Sequence, residues 1–66
     1  MTDRIIEVYQ TEVDHNRIWR WRVNDGATVM RDFRNYESRD EAVADALRRP
    51  GNHDLDVLDI PEPDRP

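Results

Sequence analysis

The stretch Trp19-Arg20-Trp21-Arg22-Val23 alternates apolar and basic residues with a period of two. That is the pattern of a half-buried β-strand. On a strand, Trp19 and Trp21 project from one face, and Arg20 and Arg22 from the other. The two rings are the only tryptophans in a chain of 66 residues. Each can contribute on the order of a few kcal/mol when buried. The core of so short a chain must therefore form around them.

One domain is the upper bound at this length, and such a chain buries roughly 60% of its unfolded surface. Small scaffolds usually add a disulfide, a metal or a partner chain. There is no cysteine, so disulfides and thiolate zinc sites are excluded. His15 and His53 stand far apart in sequence. With 36% apolar residues, the composition favours association with a second copy. The formal net charge is −5, and every one of the 10 basic residues is Arg. Abundant Asp without Lys points to a salt-adapted proteome, in which salt screens self-repulsion; a GC-rich genome would also replace Lys by Arg. An acidic chain is a poor generic binder of nucleic acid or anionic membrane. Without a signal-peptide pattern or an apolar run of about 20 residues, a cytoplasmic protein is expected.

Residues 4 to 11 read as a first strand, with Ile6 and Val8 on one face and Ile5, Glu7 and Tyr9 on the other. Residues 12 to 17 read as a loop with a turn at Asp14-His15-Asn16. After the tryptophan strand, Asn24-Asp25-Gly26 signals a hairpin. A two-residue loop puts the tryptophans on the Met30 side of the third strand, residues 27 to 33. A three-residue loop with a bulge puts them beside Val29 and Phe33, and this is preferred because it gives the rings apolar neighbours. Ser38-Arg39-Asp40-Glu41 is a capping box, and Ala42, Val43, Ala46 and Leu47 form the apolar stripe of a helix. Pro50-Gly51 ends it. Residues 55 to 60 hold four apolar residues in six and read as a last strand, with Leu55 and Val57 on one face and Leu58 and Ile60 on the other. The fold class is α+β: a three-stranded antiparallel meander, one helix and a C-terminal strand (β-β-β-α-β) in residues 1–60. Prolines after it predict a flexible tail over 61–66.

Glu7-Val8-Tyr9, Trp19-Arg20-Trp21-Arg22-Val23, Asp25-Gly26, and Tyr36-Glu37-Ser38-Arg39 with Ala42 follow in an order that resembles the YegP-like family of small proteins. The resemblance covers about residues 5 to 48. It implies that two β-β-β-α-β units share one sheet with exchanged C-terminal elements, here as a homodimer. Trp19, Trp21, Leu55, Val57, Leu58 and Ile60 would then lie at or near the dimer core. The family brings no catalytic residues.

Catalysis needs a positioned nucleophile, an acid–base pair or a metal. Ser38 is explained by capping. His15 reads as a loop residue, and His53 with Asp54 and Asp56 reads as a solvated acidic segment more readily than as a cation site. Glu7 and Glu12 have no evident partner. No catalytic residue, metal site or cofactor is therefore expected. The chain reads as a non-catalytic structural or interaction module, open to strand addition from a second copy or another protein. The alternative is weak nucleic-acid binding through Arg20, Arg22, Arg31 and Arg34 beside the aromatic residues. Cross-strand pairing of these arginines with Asp32, Glu7 and Glu12 is preferred to it.

Overall fold

The computed structural model describes residues 4–31 and 34–63. The order of elements is the one expected: β1 (Ile5–Val13), β2 (Asn16–Asn24), β3 (Val29–Arg31), α1 (Arg39–Arg48) and β4 (Asp56–Asp59). The four strands form one mixed sheet in the order β3-β2-β1-β4.

Both long strands extend beyond the sequence expectation. β1 and β2 pair antiparallel from Ile5↔Asn24 to Val13↔Asn16. Only Asp14 and His15 lie between them, with φ of 50° and 67°. That is a two-residue hairpin turn, and its backbone matches the right-handed twist of the strands. The polar segment read as a loop is therefore mostly strand.

The second hairpin corrects the predicted register. Val23 pairs with Met30 and Asn24 with Val29, so Trp19, Trp21 and Val23 share a face with Met30. The loop is Asp25-Gly26-Ala27-Thr28. Asp25 Oδ1 accepts from the backbone N–H of Thr28 at 2.7 Å and of Ala27 at 2.9 Å. Asn24 Oδ1 accepts from Gly26 N–H at 2.8 Å. These turns of Asx type fix a four-residue loop, and an even loop length keeps the parity that a bulge would have switched. The same backbone bonds, first from Thr28 and then from Ala27, hold the Asp25 carboxyl below its usual range. Phe33 and Asp32, which were expected to complete the third strand, lie outside the described residues.

The helix begins as predicted. Glu41 N–H donates to Ser38 Oγ at 3.2 Å. The return arm of the box reaches one residue further, with Glu41 Oε2 accepting from Glu37 N–H at 3.4 Å. At the other end, Asn52 Nδ2 donates to Ala46 O at 3.1 Å and closes the last turn.

The helix crosses β2 and β1 and delivers β4 to the free edge of β1, where Ile5 to Val8 pair in parallel with Asp56 to Asp59. The path from β3 to β4 spans three interstrand steps, about 14 Å, which a helix of this length and its turns can bridge. β4 thus closes on its own chain, where an exchange with a second chain was expected. Trp21 is buried in the core with Ile6, Val8, Val23, Ala42 and Ala46, and Trp19, Leu55 and Val57 pack against that cluster. Four of the six residues assigned to a dimer core are therefore used within one chain. Ile60 is half-buried and only Leu58 is well exposed, at 49%. In the tail, Glu62 Oε2 accepts from Thr11 Oγ1 at 2.6 Å; residues 64–66 lie outside the described range.

The Asp14-His15 turn places two non-glycine residues in the left-handed region, at roughly 1–2 kcal/mol each. Replacing Asp14-His15 by Asn-Gly should raise stability by about 1 kcal/mol. Urea unfolding checks this, and a lower midpoint at unchanged slope would contradict it.

Candidate functional site

Asp45 is the acidic residue set deepest in the described structure. It lies on the helix face between Ala42 and Ala46 and is 5% exposed. A buried carboxylate needs partners, and the segment before the helix and the helix end supply them. Tyr36 OH donates to Asp45 Oδ2. Arg48 Nη2 reaches Oδ1 at 2.7 Å and Arg49 Nη2 reaches Oδ2 at 3.1 Å. Arg34 Nη1 stands 4.0 Å from Oδ1.

Tyr36 is placed by a bridge to β2, its N–H donating to Trp19 O at 3.0 Å and its O accepting from Trp19 N–H at 2.8 Å. Its hydroxyl accepts from Trp21 Nε1 at 3.4 Å. The Arg49 guanidinium lies over the Trp21 ring, 5.8 Å from its centroid, a cation–π arrangement. Trp21, Tyr36, Asp45 and Arg49 thus form a closed ring of contacts. The hydrogen bond from Tyr36 is the main reason that Asp45 titrates well below the usual carboxylate range. Arg48 and Arg49 act in the same direction, against the opposing effect of burial.

Beside this ring lies a cavity of about 280 Å³. Trp21, Val23 and Met30 give it an apolar floor, Arg4 and Arg49 stand around it, and Arg31 contributes to its wall on β3. Pro50 and Asn52 complete the wall. Arg4 is oriented by Asn52 Oδ1 at 3.1 Å and Gly51 O at 3.5 Å. None of these lining residues is acidic, in a chain of net charge −5. A second hollow, near the helix N-terminus, is lined by both signs of charge, including the Arg39–Asp59 pair at 2.6 Å.

The four arginines considered for nucleic acid do not form one stripe. Arg20 and Arg22 share the sheet face away from the helix, as expected. Arg20 donates twice to Asn35 Oδ1, at 3.1 and 3.0 Å. Arg22 Nε pairs with Glu7 Oε1 at 2.6 Å, with both side chains largely buried. Arg31 stands opposite Arg22 on β3, but the Arg34 guanidinium is on the helix side with Asp45. Among the described residues no group of three or more His, Cys, Asp or Glu is arranged to hold a metal ion, and no helix is long and apolar enough to cross a membrane.

Sequence reading missed Asp45, Arg49 and Arg4. The signal for the first two was present: Asp45 and Arg49 continue the helical stripe begun by Ala42 and Ala46, and a charge inside an apolar stripe needs a partner. Arg4 and Asn52 meet across 48 positions, which no local pattern reports.

Comparison of the chain with protein-family models, characterised proteins and solved structures gives no match.

Asp45 has a folded-state pKa below its unfolded value of about 3.9. Its stabilising contribution is therefore present above that value and is lost as pH falls through it toward the folded pKa. Because Arg48 is solvent-facing, Asp45→Asn should cost about 2 kcal/mol at neutral pH, and should flatten the decline in stability below about pH 4. Chemical denaturation across pH measures both. An unchanged acid limb would exclude the carboxylate as its source.

Proposed function

We propose that the protein is a small non-catalytic interaction module that works through the free edge of β4, and that its first partner is a second copy of itself. The observation that carries this reading is Leu58, 49% exposed at the centre of a four-residue edge strand. An uncovered edge offers backbone donors and acceptors to an added strand. In an antiparallel pairing about a two-fold axis, Leu58 of one copy meets Leu58 of the other on the face away from the helix. The small core supports the same reading, since Ile6 and Val8 are the large side chains that are fully buried.

The chemistry of Asp45 supports a non-catalytic role. A carboxylate held ionised by Tyr36 and two arginines is a weak base at neutral pH and has no proton to give.

Asp56 and Asp59 flank Leu58 and Val57 on the edge. Joining two copies brings four carboxylates close together, with Asp59 partly offset by Arg39. Salt shortens the Debye length from about 10 Å at 0.1 M to about 3 Å at 1 M, so association should strengthen with salt. Light scattering after size exclusion should give a dimer mass in multimolar KCl, and Leu58→Arg should return it to a monomer. A wild-type monomer at every salt concentration, or a Leu58→Arg dimer, would overturn the reading.

A further inference from the structure

The cavity over Trp21 and Met30 combines two features that suit one class of ligand. Its floor is apolar, formed by the nearly buried Trp21 and Val23 and by Met30, which is 69% exposed. Arg4 and Arg49 stand around it, Arg31 contributes to its wall on β3, and there is no acid among the lining residues. We infer that this cavity binds a small organic anion: a carboxylate or phosphate head group carried on an apolar body no larger than one aromatic ring.

Size sets the upper limit. A cavity of about 280 Å³ is at the small end of ligand sites, and its volume equals that of about nine waters of bulk liquid. This suits a single ring with its acid group.

Charge sets the head group. Arginine presents planar forks of N–H donors that match carboxylate and phosphate oxygens. Arg4 and Arg49 at one hollow give it a local positive potential that attracts anions to an otherwise acidic protein.

The site is also built in advance. Arg49 is held from behind by Asp45 and from below by the Trp21 ring. Arg4 is held by Asn52, itself 4% exposed and anchored to the helix end. Ordering these two long side chains is therefore already done before a ligand arrives. Arg31 and Met30 come from the edge strand β3 and supply the adjustable wall. Met30 has the unbranched, polarizable side chain that adapts to varied apolar shapes.

The probes are phenyl phosphate and benzoate, with inorganic phosphate and benzyl alcohol as the head group and the body taken separately. The readout is a ¹H–¹⁵N and methyl ¹H–¹³C NMR titration of the whole chain at low salt. Phenyl phosphate or benzoate should give saturable shifts at Trp21 Nε1–H, the Met30 methyl and the Asn52 amide, with a Kd of about 1 mM or tighter. Arg4→Gln should weaken binding about tenfold, the equivalent of one charge-assisted contact. Met30→Ala should weaken phenyl phosphate and leave inorganic phosphate unchanged. Leu58→Arg, on the opposite edge, should bind as the wild type does, which separates this site from self-association. Three results would overturn the inference: no saturation, equal shifts from inorganic phosphate and phenyl phosphate, or shifts spread over Arg17, Arg20 and Arg39 as for an adventitious counter-ion.

Discussion

An ionised carboxylate placed inside a very small core organises this protein. Asp45 occupies the same helical stripe as Ala42 and Ala46, which are fully buried. Two alanines bring the helix backbone close to the sheet, but they contribute little apolar area. Orientation is supplied by the polar contacts instead. The hydroxyl of Tyr36, the guanidinium groups of Arg48 and Arg49 and the indole of Trp21 join the helix, the segment before it and strand β2 through one network. Hydrogen bonds to a buried charge are directional and strong, whereas apolar contact alone is neither. A helix of ten residues would be marginal by itself, and this network fixes how it sits on the sheet.

The sheet that it covers is asymmetric. β1 and β2 are nine residues each, whereas β3 has three and β4 has four. Short edge strands limit what can be added to them. The helix lies over β1 and β2 and leaves the β3 side open, which is why Met30 is exposed while Val23, its cross-strand partner, is buried. The cavity is the direct result of a helix too short to cover all four strands. On the far side of the sheet, Arg22 reaches across β1 to Glu7 and Arg20 reaches Asn35 beside the other edge of β2. Tyr9 is 4% exposed there without any helix above it, as the stems of long side chains can cover apolar surface.

The element order and the core strand were legible because they rest on local pattern. Alternation at Trp19 to Val23, the box at Ser38 to Glu41 and the stop at Pro50-Gly51 each act within a few residues. The register of the second hairpin was not legible, because it depends on how Asn24 and Asp25 fold their side chains onto the following amides. Apolar neighbours for the tryptophans argued for Val29, yet the loop geometry chose Met30 and left both exposed. The destination of β4 could not be read either. An apolar strand needs an edge, but sequence does not say whether that edge belongs to the same chain. Of the site, the Asp45–Arg49 half was present in the helical spacing, and the Arg4–Asn52 half arises only from the meeting of distant segments.

The two edges of the sheet differ in the sign of their charge, and this gives the two proposed contacts opposite physics. The β3 side gathers Arg4 and Arg49 around an apolar floor, while β4 presents Asp56 and Asp59 around Leu58. Attraction between an anion and arginines is screened as ionic strength rises. Repulsion between like-charged edges is screened by the same ions, while burial of Leu58 is not electrostatic and persists. Under the proposed roles, one change of solvent pushes ligand capture and self-association in opposite directions. A fold stabilised only by its surface charges could not sustain that. This one can, because the contact that orients the helix, around Asp45, lies inside, where salt screens it least.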